Sequence, residues 1–113
     1  MVKAIGIDIV DVDRIRGAMQ NHRFVERILT DAEMERTLTP AYVAGRWAAK
    51  EAASKCCQAL RNWHDIQVLT GENGSPSILV KSGILQPGEK MMISITHEKG
   101  HAAAVAILVL EPS

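Results

Sequence analysis

Aromatic side chains are scarce in this 113-residue chain: they make up 4% of it, with one Phe, one Tyr and two Trp. A core built on stacked rings is therefore excluded, and Ile, Val, Leu, Met and Ala must fill the interior. Cysteine is limited to Cys56 and Cys57, adjacent on a predicted helix, where their side chains diverge by about 100° and are poorly placed to bridge. A disulfide framework is excluded, and reduced core thiols in a cytoplasmic protein are expected. Charge of one sign is not in surplus: 13 Lys and Arg offset 13 Asp and Glu, so net charge draws the chain to neither nucleic acid nor membrane. No run approaches the roughly 18 apolar residues of a membrane span, and the N-terminus shows no signal-peptide pattern. Zinc-ligand spacing, a P-loop and a Gly-x-Ser-x-Gly elbow are all missing.

What is present reads as one domain over residues 1–113, 47% hydrophobic and small enough to gain from oligomerisation. "VKAIGIDIVDV" (2–12) is β-branched and apolar on both faces, which predicts a strand buried on both sides. Asp11 or Asp13 can cap a following helix whose apolar stripe is Ile15, Ala18 and Met19. "TDAE" (30–33) has capping-box spacing and predicts a short helix ending near Leu38. Thr39-Pro40 signals a third helix running to about Arg61. "DIQVL" (65–69) and "PSILV" (76–80) flank an Asn73-Gly74 turn and predict a hairpin, and "MMISIT" (91–96) and "AAAVAILVL" (102–110) predict two more strands. The class expected is α+β: a mainly antiparallel sheet against one long and two shorter helices.

Three places in the chain invite chemistry. Asp8 interrupts an otherwise apolar strand, where a lone carboxylate needs a cation, several donors or a metal. On the long helix, Glu51 and Lys55 share an arc with Ala44, Ala48, Ala52 and Ala59, while Arg46, Lys50 and Arg61 cluster on another side, read as the solvated face. As a plain i,i+4 ion pair, Glu51 and Lys55 would stabilise the helix by only about 0.3–0.5 kcal/mol. With Asp8, they supply two carboxylates for Mg²⁺ and a Lys for phosphate charge. Third, "SITHEKGH" places His97 at a strand end behind Ser94 and Thr96. Residues 14–27 also gather Arg14, Arg16, Arg23, Arg27 and His22 against Glu26, either a basic patch or an ordinary solvated helix face.

"GIDIVDVDRI", "RWAAKEAASK" and "ISITHEKGHAAAVAI", with "LTDAEM" and "GENGSPSI" in order between them, resemble the holo-[acyl-carrier-protein] synthases of the 4′-phosphopantetheinyl transferase superfamily. The resemblance spans nearly the whole chain. It implies the 4′-phosphopantetheinyl transferase fold and transfer of the phosphopantetheine arm of coenzyme A to a serine of apo-acyl carrier protein. That reaction releases adenosine 3′,5′-bisphosphate and supports fatty acid biosynthesis. Carried over motif by motif, it implies Asp8 and Glu51 as Mg²⁺ ligands, and Glu51 and Lys55 as catalytic groups, with Lys55 beside the pyrophosphate. Thr96 and His97, with Arg46 and Lys50, would bind the nucleotide of coenzyme A; Gly74 and Pro76 would form the turn near the adenine. Arg14 would dock the acidic carrier protein. The small family members are homotrimers with active sites between subunits, so Asp8 and Glu51 would face a neighbour's nucleotide-binding turn.

Departures are few. Thr96 stands where Ser usually precedes the histidine, and Cys56-Cys57 replace the usual Ala-Leu. "ALRNWHDI" (59–66) replaces a Gly-rich turn, which opens the question of whether Trp63 or His64 reshapes the rim of the site. Two other readings compete: a non-catalytic trimeric binding module for coenzyme A or a nucleotide, and a purely structural role for Asp8 and the Glu51–Lys55 pair. Binding alone would not need Asp8, Glu51 and Lys55 together.

Overall fold

The computed structural model describes residues 1–112. Strand β1 (Val2–Asp11) runs directly into helix α1 (Val12–Ala18), followed by α2 (His22–Ile28) and α3 (Pro40–Cys56). A 3₁₀ turn at Trp63–Asp65 leads into β2 (Ile66–Thr70), β3 (Pro76–Val80), β4 (Glu89–Glu98) and β5 (His101–Leu110). The α+β class expected from the sequence is the one that forms. β5 lies between β1 and β4 in a three-stranded antiparallel sheet, and β2 and β3 make a separate hairpin.

The helix starts follow from local chemistry. Asp11, not Asp13, caps α1: its Oδ1 accepts the amides of Asp13 at 2.8 Å and Arg14 at 3.3 Å. Thr39 Oγ1 accepts the Tyr42 amide at 3.1 Å, and Pro40 takes the first helical position of α3, where no amide hydrogen is needed. Ala44, Ala48, Ala49, Ala52 and Ala53 of α3 are buried, as are Ala102, Ala104 and Ala106 of β5. Small side chains on both surfaces let helix and sheet lie close. The tightest approach is at Gly6 of β1, where an added Cβ would sit 2.0 Å from the Ala52 carbonyl oxygen.

Four expectations need correction. β1 is buried on one face only: Ile5, Ile7 and Ile9 are 64%, 66% and 67% exposed, because α3 covers one side of the sheet and no described residue covers the other. Residues 31–36 form turns rather than a helix, although the capping-box bonds exist, with Glu33 N to Thr30 Oγ1 at 3.2 Å and Thr30 N to Glu33 Oε1 at 2.8 Å. The Glu33 side chain is drawn instead into the interior, where Oε2 accepts the Val68 amide at 2.9 Å, and its carbonyl accepts the Tyr42 hydroxyl at 2.8 Å. The second short helix is α2, capped by Asn21 and burying Val25 and Ile28. Finally, α3 stops at Cys56 because Cys57 is extended (φ −139°, ψ 101°), so Ala59 and Arg61 lie outside the helix and are exposed.

The segment after α3 is held by its own contacts. Trp63 packs edge-on against Trp47 at 4.6 Å between centroids, and His64 Nε2 lies 2.7 Å from the Glu26 carbonyl. Both rings are thus committed to contacts with α3 and α2. Cys56 and Cys57 are free and buried, as expected.

Candidate active site

On β1, the alternation of a strand sends Gly6, Asp8 and Val10 toward α3. The Asp8 side chain is 14% exposed, and its Oδ2 is buried with no donor among the described residues. Lys55 reaches back from the last turn of α3: its Nζ donates to the Ile7 carbonyl at 2.7 Å and lies 3.5 Å from Asp8 Oδ1. Glu51, one turn earlier, is half-buried and faces Asp8. Burial raises its carboxyl above the usual range, and the negative charge of Asp8 raises it further; Lys55 and Arg14 pull the other way. The strand and helix that looked separately anomalous in the sequence therefore meet. They bring together two carboxylates, one unpartnered carboxylate oxygen and one ammonium.

Arg46 and Lys50 do not form the solvated face expected of them. Lys50 is fully buried, and its ammonium donates to Ile28 O at 2.6 Å, Glu33 Oε1 at 2.6 Å and Trp63 O at 3.1 Å. Burial lowers its proton affinity, and Glu33 acts in the opposite direction. All three ammonium hydrogens are engaged inside the protein, so Lys50 is removed from the nucleotide-binding set. It ties α3 to the end of α2, the 30–33 turn and the 3₁₀ turn.

Arg46 is also buried, but it opens onto a cavity of about 310 Å³ between the 31–36 turns, α3 and β2. One guanidinium nitrogen donates to Thr70 Oγ1, whereas its Nε is buried without an acceptor among the described residues. The guanidinium carbons of Arg46 and Arg36 lie 4.4 Å and 4.2 Å from the centroid of the same Tyr42 ring. Neither guanidinium pairs with a carboxylate among the described residues. Two unneutralised cations held together beside a cavity suit an anion. Sequence reasoning missed Arg36, because no periodic element spans 31–38 to give it a direction, and Glu33, whose capping role hid its place in the core.

His97, the penultimate residue of β4, lies on the face covered by α3. Its Nε2 lies 3.1 Å from the Ala41 carbonyl, and Gly45 makes room for the ring, since a Cβ there would be 2.8 Å from that nitrogen. Thr96, the preceding residue, points to the opposite, open face of the sheet opposite Ala103, so one chain does not bring the two side chains together. Gly74 has φ +82° in the β2–β3 turn, Pro76 pairs with Thr70 at the first position of β3, and the turn thus starts where Arg46 is anchored. From Gly45 to Lys55 the helix rises about 15 Å. Arg46 and Glu51 are only about 7.5 Å apart along the axis but about 140° apart around it, so within one chain the Arg46–His97 region and the Asp8–Glu51–Lys55 cluster face different directions from α3. Arg14 is exposed on α1, near enough for its charge to act on Glu51.

The chain is similar to known proteins over nearly its whole length. The holo-[acyl-carrier-protein] synthase of Listeria innocua is 37% identical over 119 aligned positions, covering 96% of this chain and 98% of that one. That of Halalkalibacterium halodurans is 38% identical, covering 96% of both. The crystal structure of a holo-(acyl-carrier-protein) synthase from Bacillus anthracis in complex with CoA (3′,5′-ADP) superposes with a TM-score of 0.81 at 32% identity, over 96% of both chains. The Helicobacter pylori holo-[acyl-carrier-protein] synthase in complex with coenzyme A gives 0.79 at 27%, over 94% of this chain and all of that one. Residues 4–107 match the model of the 4′-phosphopantetheinyl transferase superfamily, and the chain belongs to that family.

Proposed function

We propose that this protein transfers the 4′-phosphopantetheine group of coenzyme A to a serine of apo-acyl carrier protein, giving holo-carrier and adenosine 3′,5′-bisphosphate. The observation that carries the reading is the meeting of Asp8, Glu51 and Lys55 across β1 and α3. The relatives named above act on an acyl carrier protein by name, and two solved neighbours hold coenzyme A or its nucleotide.

Magnesium fits the residues present. No three His, Cys, Asp or Glu side chains cluster as a self-sufficient metal cage among the described residues. Mg²⁺ does not require one, since it is commonly held by one or two carboxylates plus substrate phosphates and water. The orphaned, buried Oδ2 of Asp8 and the mutual charge of Asp8 and Glu51 are the features a divalent cation would relieve. Asp8 and Glu51 would hold it, and when bound it would supply positive charge to the pyrophosphate.

The chain's own residues do the rest. Glu51, or a water it orients, accepts the proton of the attacking serine. Lys55 offsets charge on the departing phosphate. Because the nucleophile arrives on the carrier, no activated Ser or Cys is needed here. Arg46 and His97 bind the nucleotide, joined by Arg36 at the same cavity; Gly74 and Pro76 shape the turn near the adenine, and Thr96 contributes its hydroxyl. Arg14 docks the acidic carrier, and Arg23 and Arg27 are also exposed, on α2.

A homotrimer reconciles the two separated halves of the site. The uncovered face of the sheet, with Ile5, Ile7 and Ile9 exposed on β1 and Met92 on β4, is the surface we assign to the neighbouring subunits. In such a trimer the Asp8–Glu51 region of one chain would meet the Arg46–His97 region of the next. Among the described residues no helix is long and apolar enough to cross a membrane. The free, buried thiols of Cys56 and Cys57 suit a reducing compartment, and we place the protein in the cytoplasm.

The test is Glu51→Gln. Transfer to the carrier should fall by at least about a hundredfold, while coenzyme A still binds and the chain stays folded. Transfer near the wild-type rate would remove Glu51 from the chemistry. Coenzyme A binding by the wild type without any transfer would favour a binding module instead.

A further inference from the structure

We propose that, in the metal-free protein, the Lys55 ammonium is the resident counter-ion of the Asp8–Glu51 pair, and that a divalent cation binding there displaces it. Lys55 is then released toward substrate phosphate only when the metal is loaded. This rests on the reading of Asp8 and Glu51 as metal ligands.

The position of Lys55 is the starting point. Its side chain is 54% exposed, so solvent lies open to it. A lysine there ordinarily keeps its ammonium hydrated and mobile. Instead the chain folds back over β1 and donates to the Ile7 carbonyl at 2.7 Å. The second approach, 3.5 Å from Asp8 Oδ1, is too long for a strong hydrogen bond and acts mainly through charge. Anchorage on a neutral carbonyl, with a long approach to the carboxylate, is a reversible hold.

One ammonium leaves this site incompletely satisfied. Asp8 Oδ2 keeps no donor among the described residues, and Glu51 still lies against a second carboxylate in a half-buried position. A divalent cation brings two positive charges to two negative ones. Once it binds, Lys55 would hold a like charge beside it, with only the Ile7 carbonyl to retain it. Leaving relieves that repulsion, and the exposed side of the residue gives it a direction to leave. The metal and the phosphate-binding lysine thus become available in sequence, rather than competing for Asp8 throughout the reaction.

The experiment uses metal-free protein without coenzyme A. Mg²⁺ is titrated into the wild type while the Lys55 side-chain carbon resonance is followed by NMR with ¹³C-labelled lysine. In parallel, Mn²⁺ affinity is measured by electron paramagnetic resonance for the wild type, Lys55→Met and Asp8→Asn, each checked for folding by circular dichroism. The Lys55 resonance should shift toward that of a free, mobile lysine and saturate with the metal. Lys55→Met should bind Mn²⁺ about five- to tenfold more tightly. A Lys55 resonance unmoved at metal saturation, or a variant affinity equal to or weaker than wild type, overturns the exchange and leaves the metal reading intact. Failure of Mn²⁺ to bind without coenzyme A overturns this inference; failure to bind with coenzyme A added as well, or binding indifferent to Asp8→Asn, overturns the metal reading and this inference with it.

Discussion

Replacing Gly6 by alanine tests the packing that brings strand and helix together. The new methyl carbon would lie 2.0 Å from the Ala52 carbonyl oxygen, 3.0 Å from the Ala52 carbonyl carbon and 3.0 Å from Lys55 Cβ. A carbon and a carbonyl oxygen approach no closer than about 3.3 Å without strain, so α3 must retreat by about 1.3 Å. The two Ala52 atoms are backbone and Lys55 Cβ is the first carbon of its side chain, so no rotamer change relieves the clash. Overpacking ordinarily costs about 1–3 kcal/mol, and this site belongs at or above the upper end. In urea, that amounts to a midpoint lowered by roughly 1–2 M. The same retreat pulls Glu51 and Lys55 from Asp8, and a displacement of about 1 Å at reacting groups can cost about a hundredfold in rate. Unfolding curves and carrier-modification rates on one preparation give both numbers. If Gly6→Ala unfolds within about 0.5 kcal/mol of wild type and turns over at the normal rate, the close approach of β1 and α3 does not hold the site.

Lys50→Met should be among the more damaging substitutions, costing about 3–5 kcal/mol in urea unfolding, because it leaves the buried Glu33 carboxylate without its cation. Adding Glu33→Leu should recover part of that loss; a double variant as poor as the two singles summed would show that the pair is not coupled. Arg36→Ala should leave stability within about 0.5 kcal/mol yet weaken coenzyme A binding about tenfold by calorimetry. Unchanged affinity would take Arg36 out of the nucleotide cavity. Ile7→Asp should convert a sedimenting trimer to a monomer with unaltered circular dichroism, and a wild type that already sediments as a monomer would refute the assignment of the open sheet face.

The parts of the site that were legible in the sequence depend on simple periodicity. Asp8 stood out because a carboxylate broke an apolar strand, and Glu51 and Lys55 because they shared the arc of alanines that turned out to be buried against the sheet. Lys50 gave the opposite impression for the same reason: a helical wheel places it away from that arc. Its partner Glu33 arrives through a turn with no periodic signature, so nothing local marks the ion pair as interior. The capping box at Thr30 is real as a set of hydrogen bonds, yet tertiary demands on Glu33 stop a helix from following. α2, only seven residues long, is defined by Asn21 and by packing of Val25 and Ile28 rather than by a long amphipathic pattern. The one-sided burial of β1 was hidden for a different reason. An apolar strand reads alike whether its second face meets the same chain or another copy.

The central claim is the transfer reaction, and the mass of the carrier protein tests it most directly. Purified protein is incubated with coenzyme A, Mg²⁺ and each of several apo-acyl carrier proteins, and the carriers are analysed by intact-mass spectrometry. At least one carrier should gain the mass of a single phosphopantetheine group, located on one serine, with adenosine 3′,5′-bisphosphate appearing in equal amount. Carriers of unchanged mass throughout, with the protein folded and coenzyme A bound, would contradict the account.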